Sequence, residues 1–235
     1  MTHSGRAHLT VAILWSALAL SLGATACAGA INDPSEANEI AEFTLNSKTA
    51  PADGATQLEL TTKISPEVSK ASRTVTFATT LGTFGEQHTA TADADAGGIA
   101  KVRLTAPTTM GNAFVTAKVG TTLVREEVTF ERAFAESIEL TSDAVAVTAG
   151  FESTVTLSVT LRRAKGKPTA GDTAVITTTR GLLARPTRSN DDGVITTVFT
   201  PGEAPVGSVT IKAAVRGSGG NVLSDSLVLL ILPKS

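Results

Sequence analysis

Apolar and polar residues alternate with a period of two along most of the chain from Ile40 onward, in segments rich in Thr and Val and punctuated by Gly, Pro, Asn and Asp. Such alternation is typical of half-buried β-strands, and no stretch has helical spacing with caps at both ends. The strands predicted in the first half are 57–64, 73–79, 99–104, 113–119 and 122–130. Short strands separated by turns at this spacing indicate an all-β fold made of β-sandwiches.

The strand pattern occurs twice, with a shift of about 96 residues. The matched segments are 75–82 with 174–181, 97–100 with 192–195, 111–117 with 207–213, and Asp53 and Gly54 with Ala149 and Gly150. The sequence therefore predicts two sandwich domains that share one plan.

The first repeated segment, VTFATTLG, shows how each copy builds its core. Alternation places Val75, Phe77 and Thr79 on one face of the strand, where they are predicted to fill the core. Gly82 and Gly181 end the strand in their respective copies, and a positive φ or a bulge is expected at both.

These motifs resemble those of the bacterial Ig-like domains of invasin and intimin. The first copy has Asp-Gly at 53–54, the VTFATTLG strand at 75–82, an Asp-x-x-Gly turn at 95–98 and Gly-x-x-x-Val-x-Ala at 111–117. The second copy matches less closely. The resemblance implies tandem Ig-like sandwiches and, because such domains serve as stalks in adhesins, a non-enzymatic stalk or adhesion module.

The start of the chain has the three parts of an export signal. Arg6 precedes an apolar run over 11–22, which is too short to span a bilayer, and small residues then lead to Cys27. Cys27 is the single cysteine of the chain, so no internal disulfide can form.

Residues 24–27 resemble the lipobox of bacterial lipoproteins, with Ala24 in place of the usual Leu. The resemblance implies cleavage before Cys27, its lipidation, and anchoring to the bacterial outer membrane or cell surface. The alternative is ordinary signal peptidase cleavage at an Ala-x-Ala site, 24–26 or 28–30, and secretion.

The predicted organisation is a signal peptide at 1–26, a flexible tether at 27–38, and Ig-like domains at 39–132 and 133–235. Hardly any linker separates the two domains, because about six residues join their flanking strands. A joint this short is expected to limit bending.

Charge and aromatic content exclude some classes of binding partner. The net charge of −2 and pI of 5.9 argue against a nucleic-acid partner, because no basic stripe is present. The chain has no Tyr, and its one Trp lies in the signal, which disfavours a dedicated sugar-binding face. The cationic cluster at 162–167 is predicted to be a solvated loop. An unidentified protein or cell-envelope component is the expected partner.

Residues that could carry chemistry are few. His88 is the only histidine after the signal, and it lies in a polar segment without a nucleophile motif, so a solvated loop histidine is expected. Two acidic loops, 93–98 and 190–193, are predicted to be hairpin turns closed by Gly98 and Gly193, with calcium binding as the alternative. No catalytic residue, cofactor, metal site or small-molecule substrate is predicted.

The apolar run Leu227–Leu232 would place apolar side chains on both faces of a final strand. Burial by another element of the chain is expected, and an interaction surface is the alternative. A second hypothesis for function uses the same region: an assembly or chaperone-like subunit that pairs through an exposed strand edge near Leu227.

Overall fold

The computed structural model describes residues 39–69 and 73–234. Within these ranges there is no helix with the length and apolarity needed to cross a membrane. The predicted signal peptide, the predicted tether and Cys27 lie outside the described residues. The strands are β1 Ile40–Leu45, β2 Thr49–Pro51, β3 Gln57–Ile64, β4 Thr74–Thr79, β5 Thr89–Asp93, β6 Ile99–Thr105, β7 Gly111–Val119, β8 Thr122–Glu131, β9 Ser137–Ser142, β10 Ala146–Thr148, β11 Val155–Arg162, β12 Ala174–Thr178, β13 Leu182–Leu183, β14 Val194–Thr200, β15 Gly207–Arg216 and β16 Val222–Leu232.

The first sandwich packs a three-stranded sheet, β1-β3-β6, against a five-stranded sheet, β2-β8-β7-β4-β5. Alternate residues of each strand point into the space between the sheets and exclude water there. The largest of these side chains, Phe77 and Phe130, are almost fully buried. The structure therefore confirms the predicted burial of the VTFATTLG strand, in which Val75 and Phe77 are inaccessible and Thr79 is buried.

The second sandwich packs sheet β13-β14-β11-β9 against sheet β10-β16-β15-β12. Its core holds Phe199, Leu157 and Ile211, which are inaccessible to solvent. In both sandwiches a three-residue strand, β2 or β10, runs parallel to the last strand, while every other pair is antiparallel among the described strands. The all-β prediction of two tandem Ig-like sandwiches is confirmed.

The glycines at the ends of the repeated strands have the predicted conformation. Gly82 and Gly181 have φ of 76° and 74°. A Cβ at Gly82 would also lie 2.5 Å from the carbonyl oxygen of Thr105, so both the conformation and the close approach require glycine there.

The two acidic turns differ from each other. Gly98 and Gly193 have positive φ, and each donates its backbone N–H to the residue three positions earlier, Asp95 or Asn190, at 3.0 Å. The hairpin prediction is wrong for the first turn, because the strands on either side of it, β5 and β6, belong to different sheets. Sequence spacing could not reveal this, since a turn of the same local geometry also serves to change sheets.

The pairing of the strands shows that one predicted correspondence between the two copies is wrong. Gly111 opposes Phe130 in the first copy, and Gly207 opposes Ile231 in the second. Phe130 and Ile231 are therefore equivalent, and so are the next residues, Glu131 and Leu232. The N–H of Ala52 donates to the carbonyl of Glu131 and the N–H of Ala149 to the carbonyl of Leu232, so Ala52 and Ala149 are equivalent as well. Asp53 therefore corresponds to Gly150, one residue beyond the predicted match. The second copy has no carboxylate at this position.

Candidate functional site: the domain junction and the outer face of the second sandwich

The loop between β11 and β12 of the second sandwich forms hydrogen bonds with the first sandwich. The N–H of Lys167 donates to the carbonyl of Asp53 at 2.9 Å, and the hydroxyl of Thr169 donates to the carbonyl of Ala52 at 3.2 Å. Thr169 also exchanges hydrogen bonds with Ala133, its N–H donating to the Ala133 carbonyl and its hydroxyl accepting from the Ala133 N–H, both at 2.9 Å. These bonds fix the loop to the end of the first sandwich and to the connecting segment.

Asp53 is the charged centre of this junction, and its side chain is 0% exposed. Its Oδ1 accepts from the N–H groups of Ala55 and Thr56 at 2.9 and 2.7 Å, and its Oδ2 accepts from the Thr56 hydroxyl at 2.7 Å. Burial opposes ionisation, but the bonds from Thr56 and Ala55 and the charge of Arg163 outweigh it, so the pKa of Asp53 is lowered. The residue is a buried carboxylate held by local backbone donors.

The prediction that the cationic cluster at 162–167 is a solvated loop is wrong for Arg163. Its side chain is only 11% exposed, and its Nη2 lies 3.7 Å from Asp53 and 3.5 Å from Glu136. Its Nη1 donates to the carbonyl of Phe134 at 2.6 Å. Arg163 therefore links the first sandwich, the connecting segment and its own loop. Two other cations of the cluster form exposed pairs, Arg162 with Glu139 at 2.7 Å and Lys167 with Asp192 at 2.8 Å.

The connecting segment itself is also fixed. Ala133 and Ala135 are buried, and Arg132 pairs with Asp172 at 2.8 Å. These contacts support the expectation that the short joint limits bending. A bidentate or networked guanidinium resists rotation because several bonds must break together.

Gly166 lets the loop reach Asp53. Its φ is +69°, and a Cβ at this position would collide with the carbonyl oxygen of Asp53 in the first sandwich. Gly219, at the tip of the β15–β16 hairpin, has nearly the same φ of +70° with no atom within 4 Å of the Cβ position. Of these two glycines, Gly166 alone is required for close approach as well as for conformation.

The cleft beside the junction has a volume of about 530 Å³ and is lined by Gly54, Thr108, Lys167, Pro168 and Asp191 among others. The carboxylate of Asp53 also borders it, but that group is already saturated by its own loop. The carbonyl of Asp53 and the N–H of Lys167 at this cleft form one of the bonds that hold the two sandwiches together.

The residues considered for chemistry have structural partners. His88 is exposed, and its Nδ1 lies 2.9 Å from the carbonyl of Gly82. Asp95 accepts from the N–H of Ile99 at 2.9 Å, and Asn190 accepts from the N–H groups of Asp192 and Val194. No group of three or more candidate metal ligands occurs in residues 39–69 and 73–234. Asp95 and Asn190 thus bind the backbone of their own turns, whereas Asp93 accepts from the Thr74 hydroxyl and Asp192 pairs with Lys167.

The prediction of burial for Leu227–Leu232 is wrong for one face of β16. Leu229 and Ile231 are buried, but Val228, Leu230 and Leu232 are 62%, 44% and 40% exposed. No other element in the described part of the chain covers these three side chains. Buried and exposed residues alternate along this part of β16, as in a half-buried strand, but the residues on both faces of the strand are apolar.

The equivalent strand of the first sandwich shows that the fold does not require apolar side chains on the outer face of the last strand. Because Phe130 corresponds to Ile231, the outward positions Glu127, Thr129 and Glu131 of β8 correspond to Val228, Leu230 and Leu232. Two carboxylates and a hydroxyl are thus replaced by three apolar side chains. Sequence comparison of the copies could have found this difference only with the register of the last strands known.

The edge near Leu227 is partly protected. Leu227 pairs with Ile211 of β15 on one side, while β10 pairs only with Leu230–Leu232 on the other. Over the remaining stretch, the carboxylate of Asp225 accepts from the N–H of Leu140 at 2.8 Å. An acidic side chain on the inner face of an exposed edge opposes strand addition there.

Known proteins share this architecture. The family model of invasin domain 3 matches residues 135–226. The second sandwich thus matches invasin domain 3 in sequence, and both sandwiches have the fold seen in invasin. The crystal structure of invasin, described as a bacterial integrin-binding protein, has a TM-score of 0.65 at 23% identity over 82% of this chain and 39% of its own.

Two other solved structures are more distant. The Yersinia pseudotuberculosis adhesin InvE has a TM-score of 0.48 at 15% identity, over 83% of this chain and 60% of that one. A fragment of intimin, solved with the intimin-binding domain of the translocated intimin receptor, has a TM-score of 0.36 at 21% identity, over 82% and 64%. This chain spans less than two thirds of each of these structures. No protein of curated function matches it.

Proposed function

We propose that the chain is an exported, non-enzymatic interaction module in which two invasin-type domains form a stiff unit that holds a contact surface away from a membrane. The junction carries this proposal. Its hydrogen bonds and the buried Asp53–Arg163 pair join groups from both sandwiches, as a load-transmitting connection requires.

The outer face of the second sandwich is the proposed contact surface. An exposed apolar patch on a soluble domain marks a site of interaction, and Val228, Leu230 and Leu232 are apolar where the first sandwich has polar residues. A protein partner fits this face best, since apolar aliphatic groups offer a sugar neither stacking nor hydrogen bonds. Invasin and intimin, whose fold this chain shares, have protein partners in their descriptions.

Anchoring is proposed at Cys27. Export through the signal at 1–26 and lipidation would leave the tether at 27–38 between the membrane and the domains at 39–132 and 133–235. The site would be the outer membrane or the cell surface. A secreted form remains the alternative if cleavage follows an Ala-x-Ala site instead.

The anchor is tested by metabolic labelling with a clickable fatty acid in cells that express the chain. We expect the wild type to be labelled, Cys27→Ser to lose the label and Ala24→Leu, which restores the usual lipobox, to be labelled at least as strongly. Proteolysis of intact cells then reports whether the domains are surface-exposed. Equal labelling of wild type and Cys27→Ser would exclude the anchor while leaving the interaction module in place.

The contact surface is tested by Leu230→Lys. Because Leu230 is 44% exposed, the substitution is expected to change the free energy of unfolding by less than about 0.5 kcal/mol and to reduce the attachment of chain-coated beads to protein-coated surfaces about tenfold. Thr129→Lys, at the equivalent position of the first sandwich, is the matched control and should attach like the wild type. Equal attachment by both variants would refute this surface.

A further inference from the structure

The outer edge of β12 is open where the equivalent edge of the first sandwich is filled. The ladders make Phe77 of β4 equivalent to Ile176 of β12, because they oppose Ala117 and Ala213 in the matching strands β7 and β15. In the first sandwich β5 pairs with the far side of β4, with Phe77 opposite Ala90. In the second, no described strand pairs with the far side of β12.

The backbone groups on this edge can be assigned from the ladder. The N–H of Thr179 donates to the carbonyl of Thr210 at 3.0 Å, so Thr177 and Val175 also direct their backbone groups to β15. The backbone N–H and C=O groups of Ala174, Ile176 and Thr178 therefore point away from the sheet. They form an unfilled row of alternating donors and acceptors.

The core beneath this edge is open as well. Phe77 is inaccessible to solvent, whereas the equivalent Ile176 is only half-buried, and Val175 on the outer face is 69% exposed. An added strand would cover the half-buried row as β5 covers Phe77. The edge thus lacks both hydrogen-bond partners and apolar cover.

Other edges of the described sheets are protected against strand addition. Each of the remaining edge strands of five or more residues carries a charge: Glu42 in β1, Asp93 in β5, Lys101 and Arg103 in β6, and Glu139 in β9. The edge strands β2, β10 and β13 have three residues or fewer. Charges and short length are the usual means of blocking an edge, and β12, with the sequence AVITT, has neither a charge nor a proline.

We propose that β12 pairs with β12 of a second copy of this chain, antiparallel about a two-fold axis at Ile176. The two four-stranded sheets that contain β12 would then form one continuous sheet. Ile176 opposes Ile176 of the second copy, and Ala174 opposes Thr178. All of these residues present free backbone groups, so the register yields about six hydrogen bonds between the copies.

The sequence of the strand is complementary to itself in this register. On the outer face Val175 of one copy lies beside Thr177 of the other, and no like charges meet. The pairing is confined to residues 174–178, because the outward backbone groups of Asp172 already bond to Ser189. This pattern favours a second copy over an unrelated extended segment.

Cysteine exchange tests the pairing and its register. In a Cys27→Ser background the chain has no other thiol, and Val175 and Thr177 form the closely spaced, non-hydrogen-bonded pair of the proposed ladder. Mixing the Val175→Cys and Thr177→Cys proteins under mild oxidation should give a disulfide-linked dimer, at least tenfold more than either protein alone. The matched control is Thr76→Cys mixed with Ala78→Cys, the equivalent positions on β4, where β5 fills the edge.

Sedimentation velocity tests the association without a cross-link. A contact of this size is expected to be weak, so the wild type should shift from monomer toward dimer as its concentration rises from about 10 to about 100 µM. Ala174→Pro removes an outward N–H at the first residue of β12, where proline does not disturb the β15 ladder, and should abolish the shift with an unchanged thermal midpoint.

Three results would overturn the proposal: a monomer at every concentration, equal cross-linking by the single and mixed variants, or a dimer that Ala174→Pro leaves intact. Each of these outcomes leaves the junction and the outer-face surface unaffected, since neither includes β12. Loss of bead attachment in Leu230→Lys with normal dimerisation would in turn concern only the contact surface.

Discussion

Replacing Asp53 with Ala is expected to lower the free energy of unfolding of the first sandwich by about 3 kcal/mol. The substitution leaves the N–H groups of Ala55 and Thr56 without their acceptor. It also leaves Arg163, at 11% exposure, without the carboxylate that faces it across the junction. Urea denaturation followed by circular dichroism measures the change.

Asp191→Ala is the matched control, because Asp191 lines the same cleft but is exposed. Its effect should stay below about 0.5 kcal/mol. The pKa of Asp53 is lowered in the folded state, so the stability it contributes is present above its unfolded pKa and is lost as pH falls through the lowered value. The difference between wild type and Asp53→Ala should therefore be constant above about pH 5 and shrink below about pH 4. A difference that persists unchanged into acid would show that charge has no part in it.

Gly166→Ala is expected to loosen the junction and to cost about 3 kcal/mol in all. Part of the effect is the positive φ of +69°, which a Cβ disfavours by about 1 kcal/mol. The larger part is the collision of that Cβ with the carbonyl of Asp53, which must break the bond from the Lys167 N–H to the same oxygen. Amide hydrogen exchange at Lys167 should rise at least tenfold, alongside the loss measured in urea.

Gly219→Ala separates the two contributions. Gly219 has the same backbone conformation, with φ of +70°, but an added Cβ meets no atom within 4 Å. Its effect should be about 1 kcal/mol or less, and exchange at Lys167 should be unchanged. Equal losses in the two variants would mean that the close approach to the first sandwich contributes nothing.

The strands were predictable from sequence because their evidence is local. β3 lies where the alternation predicts it, and the burial of Val75 and Phe77 follows from the period of two. The repeat also predicted the conformations of Gly82 and Gly181, since the same local need recurs in each copy.

The junction was not predictable, because its parts come from distant segments of the chain. Arg163 belongs to a run of cations that is typical of a solvated loop, and only the fold brings it within 3.7 Å of Asp53. The correspondence of Asp53 with Gly150 was likewise hidden, because it follows from ladder pairing and differs by one residue from the sequence match.

By itself, the sequence determined the all-β class, the two related sandwiches and the short joint between them. These follow from periodicity, internal repetition and composition, which are properties of neighbouring residues. The tertiary structure alone decided which charge is buried at the junction, which apolar face of β16 stays uncovered and which edge stays open. Each of those depends on what a strand or loop packs against, and partners far apart in sequence meet only when the chain is folded.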